Sequence, residues 1–172
     1  ECTVGTFGPD TGMSACIKCP SSSATGQKTC DGCEPGKYTD ENGCSNCPEG
    51  YESLGGAASE CNECTSGKFG KEHDTGTPSY RCVKCAAGKY SKEIAATSKA
   101  TCTACSAGKA NKFAGAASIY HCINCAPGEY SNSSSAFCKV CVPGQFQPAA
   151  ASTSCDPCPK GYFANISKAE EC

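Results

Sequence analysis

Large apolar side chains along this chain recur once per short repeat, at neither the helical period nor the two-residue period of a strand. A ring stands at Phe7, Tyr38, Phe69, Tyr90, Tyr130, Phe146 and Phe163. Each lies two residues after a glycine and is followed by small or polar residues, as in the 131–136 and 147–154 stretches. The glycines are more regular than the rings: Gly5, Gly36, Gly50, Gly67, Gly88, Gly108, Gly128, Gly144 and Gly161 each stand three residues after a cysteine. At Pro35-Gly36, Pro127-Gly128 and Pro143-Gly144 the composition is that of a tight turn whose third position takes positive φ. The pattern predicts a cysteine, a turn, a short extended piece presenting one ring, and a polar return to the next cysteine. Short hairpins and loops with little regular secondary structure follow. A turn of helix is expected only in the alanine-rich stretch from Ile94 to Ala100.

The cysteines set the frame. Of 20, eighteen form nine C-x-x-C pairs, at Cys16/Cys19, Cys30/Cys33, Cys44/Cys47, Cys61/Cys64, Cys82/Cys85, Cys102/Cys105, Cys122/Cys125, Cys138/Cys141 and Cys155/Cys158, with Cys2 and Cys172 single. If the second cysteine of each pair opens a loop that the first of the next pair closes, none is left over. The loops are then Cys2–Cys16, Cys19–Cys30, Cys33–Cys44, Cys47–Cys61, Cys64–Cys82, Cys85–Cys102, Cys105–Cys122, Cys125–Cys138, Cys141–Cys155 and Cys158–Cys172. Residues 1–172 become a continuous array of ten modules, numbered one to ten in that order, with a period of about 14 to 21 residues. Cys2 and Cys172 look like halves of further pairs, so a segment of a longer repeat protein is expected. Two residues join one loop to the next, which predicts a semi-rigid rod whose modules touch mainly their neighbours. At roughly 10 Å per stacked layer it would extend on the order of 100 Å. Module two lacks both glycine and ring, module four carries Tyr51 directly after Gly50, and module seven has Ala110 at the ring position. Packing between modules is expected to be weakest there.

Ile, Leu and Val total ten, Phe adds 6, and Trp is absent. That is below the roughly 20% aliphatic and Phe content of even a marginal globular chain, so covalent staples must supplement burial, each worth about 3 kcal/mol for a loop near fifteen residues. Cysteine near 12% of residues marks an oxidised extracellular scaffold. The spacing also fits zinc ribbons, and five Cys₄ sites would use all twenty sulfurs. Against zinc stand the shortest loops, the uninterrupted tiling and the glycosylation signals. Thioredoxin-like chemistry needs one C-x-x-C at a helix N-terminus, and nine copies argue against it.

Net charge is −2, from 15 basic and 17 acidic residues spread evenly, which favours neither nucleic acid nor an anionic membrane. No apolar run is long enough to span a bilayer. Asn132-Ser133-Ser134 and Asn165-Ile166-Ser167 satisfy the N-glycosylation sequon, making Asn132 and Asn165 the candidate modified residues. Ser21 to Ser23, Ser133 to Ser135 and Ser152 to Ser154 are candidate O-glycan sites. The rings are read as covers for neighbouring disulfides and glycine turns, and Lys37, Lys68, Lys89 and Lys109 as a solvated edge. His73 and His121 have no partner spacing for catalysis or metal binding, and Asp40 to Gly43 and Asp74 to Gly76 lack a calcium loop's alternating oxygens. No metal, cofactor or catalytic residue is expected.

The strings Cys33-Glu34-Pro35-Gly36-Lys37-Tyr38, Cys85-Ala86-Ala87-Gly88-Lys89-Tyr90-Ser91 and Cys125-Ala126-Pro127-Gly128-Glu129-Tyr130-Ser131, each closing on another C-x-x-C, resemble the ephrin-receptor-like cysteine-rich repeat. That repeat is a relative of the modules of tumour-necrosis-factor receptors, and similar arrays occur in protist surface proteins. The resemblance covers the whole chain and implies the pairing within modules and an elongated extracellular shape. The fold class is therefore small and disulfide-rich, an elongated tandem array of ten short hairpin modules. The expected function is a structural, non-enzymatic, secreted or cell-surface glycoprotein rod in a coat or filament, self-associating or bound to other extracellular proteins. The alternative is a receptor or adhesion ectodomain that binds a protein ligand through modules two, four and seven.

Overall fold

The computed structural model describes residues 32–40, 43–72 and 80–172, together with the backbone of two short strands, Thr6–Phe7 and Ile17–Lys18. All eight described modules, three to ten, open with the same reverse turn. The amide four residues after the opening cysteine donates to the carbonyl three residues earlier, as from Lys89 to Ala86 and from Glu129 to Ala126. The third residue of each turn is the predicted glycine, with φ between +73° and +88°. Only glycine enters that region without a steric cost, and proline at the second position presets the geometry.

After the turn the chain runs extended for a few residues. It pairs antiparallel with the two residues enclosed by the closing C-x-x-C. Tyr90 faces Thr103 and Lys89 faces Ala104; Tyr130 faces Lys139 and Glu129 faces Val140. The same arrangement joins Thr6–Phe7 to Ile17–Lys18, Lys37–Asp40 to Gly43–Asn46, Tyr51–Glu52 to Asn62–Glu63, Lys68–Glu72 to Tyr80–Lys84, Lys109–Ala110 to Ile123–Asn124 and Gln145–Phe146 to Asp156–Pro157. The dipeptide inside each C-x-x-C is thus both the return strand of one module and its connection to the next. Hairpins this small are marginal alone, and a disulfide closes each of those from module three to module nine.

Eight disulfides join Cys33–Cys44, Cys47–Cys61, Cys64–Cys82, Cys85–Cys102, Cys105–Cys122, Cys125–Cys138, Cys141–Cys155 and Cys158–Cys172, with Cα atoms 5.4 to 5.7 Å apart. The expected bonds Cys2–Cys16 and Cys19–Cys30 lie outside the described residues. Buried volume is made of sulfur, alanine, the Phe69 ring and a few polar side chains. Opening cysteines from Cys33 to Cys141 are buried, with Ala96, Ala110, Ala116, Ala164 and Ala169 between them. Most aliphatic residues lie outside this core, Leu54, Ile94, Ile123, Val140, Val142 and Ile166 all being exposed.

Contacts divide the chain into two compact units. One comprises Glu1–Cys64, Gly70–Val83 and Ala95–Ser98, the other Thr65–Phe69, Lys84–Ile94 and Lys99–Cys172. The division cuts through modules five and six. The helical turn expected at Ile94 to Ala100 is displaced: a single 3-10 turn spans Lys99–Thr101, because Ala95 takes φ +50° and breaks any helix there. A second 3-10 turn spans Ile119–His121.

Candidate functional site: the repeated module junction

The conserved geometry of this chain lies between its modules. From module six to module ten, four backbone hydrogen bonds recur at every junction. At the junction of six with seven, Gly88 N–H donates to the Asn111 carbonyl, Ser91 N–H to Ala116, Gly115 N–H back to Cys85, and Cys105 N–H to Gly88, at 2.7 to 3.0 Å. At the next, Gly108 donates to Ser131, Asn111 to Ser135, Ser134 to Cys105, and Cys125 to Gly108. The set repeats through Gly128 and Gln147, then through Gly144 and Ala164. It uses the turn glycine's N–H and carbonyl and the opening cysteine's carbonyl, groups that would otherwise be buried without partners. Isolated bridges between Tyr90 and Ala116, Ala110 and Ser135, and Tyr130 and Ser152 mark the same seams.

Two features make the seam possible. The first is a residue at positive φ in each module's return loop, Ala95, Gly115, Ser134, Ala151 or Lys168. Its N–H turns toward the preceding module's opening cysteine. The second is a buried polar side chain directly after the ring position: Ser53, Ser91, Asn111, Ser131 and Gln147. Ser131 Oγ donates to the Lys109 carbonyl at 2.9 Å, and Asn111 Nδ2 to those of Lys89 and Phe113 at 3.0 and 3.1 Å. Asn111 Oδ1 accepts the Phe113 N–H, as Ser91 Oγ accepts that of Glu93. From the sequence these residues read as the start of a polar filler. Their signal was a Ser, Asn or Gln at that one offset in five modules.

The four-bond set joins neighbours, as expected, and close approaches reach one module further. A β-carbon on Gly67, Gly88, Gly108 or Gly128 would collide with the carbonyl of Gly115, Ser134, Ala151 or Lys168, each two modules further on. Nor is module seven's junction depleted. It keeps every bond of the set, since the seam is made of backbone and does not need the ring that Ala110 lacks. Module two lies outside the described residues.

The remaining candidates fall as follows. Phe69 is buried, Tyr38, Tyr90, Tyr130 and Phe146 are half-buried, and Phe163 is exposed. Lys37, Lys68, Lys89 and Lys109 are half-buried and so do not form a solvated edge, because their strand residues also line the seam; Lys37 lies 3.4 Å from Glu34. Asn132 and Asn165 are exposed, and both stand seven residues after an opening cysteine. His121 is exposed, and its Nδ1 lies within hydrogen-bond distance of Ser118 in its own turn. Asp40 accepts a hydrogen bond from Ser45 across its hairpin and faces Gly43. His73, Asp74, Glu41, Asn42 and Ser21 to Ser23 lie outside the described residues.

Disulfide formation takes the sulfur that the Cys₄ reading required, and no group of three or more metal-ligating side chains occurs among the described residues. No helix among them is long and apolar enough to cross a membrane. Among the described residues, surface troughs open at the junction of modules six and seven and at that of seven and eight, of about 450 and 440 Å³.

Among curated proteins none is similar to this chain. The sequence profile of one family, described as tyrosine-protein kinase ephrin type A/B receptor-like, matches residues 73–122 and 128–172, more than half of the chain. Disulfide density and family together point to an extracellular or cell-surface setting. Built on a repeated turn, hairpin and cystine, the chain belongs to the ephrin-receptor-like family of cysteine-rich repeats, an extracellular receptor-like or structural repeat domain.

Proposed function

We propose that this chain is a structural, non-enzymatic repeat protein, a stiff disulfide-clamped rod that self-associates in a cell-surface coat or extracellular filament. The observation that carries the reading is the four-bond seam repeated without interruption from module six to module ten. Each seam is fixed by backbone, reinforced at several positions by contact with the second neighbour, and closed on both sides by cystine. Such a chain resists bending and proteolysis, and near-equivalent units present a periodic surface. N-glycans on Asn132 and Asn165 complete the proposal, both side chains being exposed at the same offset from an opening cysteine.

Electron microscopy and small-angle scattering of the secreted protein test this. Rods of uniform width that associate into ordered fibres on concentration support the coat or filament role. Flexible, dispersed chains at every concentration overturn it. The receptor or adhesion reading is favoured by the receptor-like description of the family, and monomeric rods that capture one soluble protein would support it instead.

A further inference from the structure

The near-neutral total of this chain conceals a segregation by module, so the even spread of charge expected from the totals does not hold along the sequence. Residues 32–63, modules three and four, carry Asp40 and six glutamates against Lys37 alone, a net charge of −6. Residues 81–128, from the end of module five through module seven, carry Arg81 and six lysines against Glu93 alone, a net charge of +6. The stretches 1–31, 64–80 and 129–172 carry −1, 0 and −1. Two blocks of equal and opposite charge therefore stand on an otherwise near-neutral chain.

Much of that charge faces water. In the acidic block Glu34, Glu49, Glu60 and Glu63 are exposed, and among the described residues only Glu34 of these four has an ion pair, with Lys37 at 3.4 Å. In the basic block Lys84, Lys92, Lys99 and Lys112 are exposed, and none meets a carboxylate among the described residues. Lys112 rests over the Phe113 ring at 5.1 Å. Lys92 and Lys112 hold the same offset, two residues after the ring position, so modules six and seven each present a cation at the equivalent place. Like charges gathered within two modules repel one another, a cost that a surface of opposite sign offsets.

We propose that modules three and four of one copy dock on modules six and seven of a second, acidic block against basic block. The proposal rests on the reading of the chain as self-associating and names the surfaces that do it. A second copy is the favoured occupant because it accounts for both blocks at once. An anionic polysaccharide would neutralise the lysines and leave an equal acidic block unmatched. Complementary fields of this kind speed encounter and fix register more than they add affinity. Because the two blocks are different surfaces, each copy can engage one neighbour through each, and the contact extends along a coat or filament.

Sedimentation velocity of the full secreted chain, from low to high micromolar concentration, tests the contact. Wild-type protein should associate at about 0.05 M salt and dissociate at about 1 M, where the screening length falls to about 3 Å. Lys92→Glu, Lys99→Glu and Lys112→Glu together neutralise the basic block, and Glu49→Lys, Glu60→Lys and Glu63→Lys together neutralise the acidic one. Each triple variant alone should raise the dissociation constant at least about tenfold. Mixed one to one they should recover association, as pairs only, because each supplies the block the other lacks; two folding defects would not complement. Lys139→Glu with Lys160→Glu, exposed and outside both blocks, should change the constant by less than about twofold. Wild-type association that persists at high salt and survives both triple variants would overturn this contact and leave the self-associating reading standing, as would variants that fail alone and also mixed. A wild-type chain that stays monomeric throughout would overturn both, and retention of that monomer on immobilised heparin, lost in the lysine variant, would assign the basic block to an anionic polysaccharide instead.

Discussion

The carbonyl group of Ala151 occupies the space that a β-carbon on Gly108 would need. Gly108 belongs to module seven and Ala151 to module nine, so this glycine answers to a loop more than 40 residues away as well as to its own turn. Its φ of +82° and that close approach are separate requirements.

Gly144 separates them. It has φ +83° and nothing within 4 Å of its missing β-carbon. In this 172-residue chain, Gly144→Ala should cost only the left-handed backbone penalty, about 1–2 kcal/mol. Gly108→Ala adds a backbone collision and should cost about 3 kcal/mol or more. Guanidinium unfolding of the oxidised proteins reads the difference; equal midpoints for the two variants would remove the second-neighbour contact.

The buried polar position after the ring should be graded by what each side chain bonds. Ser131→Ala loses one hydrogen bond to the Lys109 carbonyl and should cost about 1 kcal/mol. Asn111→Ala strands the carbonyls of Lys89 and Phe113 and the Phe113 N–H, and should cost about 2–4 kcal/mol. Module ten carries Ala164 at this position, buried without a polar group, so a small apolar residue fits the space. Amide hydrogen exchange at Phe113 should accelerate in Asn111→Ala and stay slow in Ser131→Ala.

Local chemistry accounts for how much was readable beforehand. The turn at Pro127-Gly128 and the hairpin from Glu129–Tyr130 to Lys139–Val140 are set by residues within one module, and spacing alone announces them. The eight disulfides follow the order of the cysteines for the same reason, each closing a loop of 11 to 18 residues in sequence separation. The seam was not legible. Its donors and acceptors are backbone groups, which every sequence supplies, and its positive-φ residues are occupied by Ala95, Ser134, Ala151 and Lys168 as well as by glycine. No residue type marks that position. The trough between modules seven and eight was half visible: Ala110 stood out as a missing ring, but only the fold brings Phe113, Ile123 and Phe137 around it.

Those positive-φ residues make a prediction of opposite sign. Ala151 is held at φ +59° by its N–H bond to Cys125, at a backbone cost that glycine would not carry. Ala151→Gly should therefore stabilise the chain by about 0.5–1 kcal/mol, after the greater freedom of glycine in the unfolded state is deducted. Gly115→Ala, at the same position in module seven with φ +80°, should destabilise by about 1 kcal/mol or more. Melting temperatures of the two variants moving in the same direction would contradict the seam.

Cleavage between modules gives the sharpest check on the covalent frame. Lys84 lies between Cys82, bonded to Cys64, and Cys85, bonded to Cys102; Lys139 lies between Cys138 and Cys141, bonded to Cys125 and Cys155. No disulfide crosses either lysine. Lys18 stands likewise between Cys16 and Cys19, so with the expected bonds Cys2–Cys16 and Cys19–Cys30, trypsin acting in urea without reductant should release blocks spanning 1–18, 19–84, 85–139 and 140–172, four that migrate separately. Several cuts inside one described loop free short cysteine-less peptides such as 69–71, but the cysteine-bearing ends stay joined by that loop's own cystine, so no further large block appears there. Bonds within a C-x-x-C pair would instead keep the blocks on either side of that lysine linked until reductant was added. Lys84 and Lys139 are exposed but sit in hydrogen-bonded return strands, so the native protein should resist the same protease, and urea should be needed to open the strands before the cystines can report their pairing.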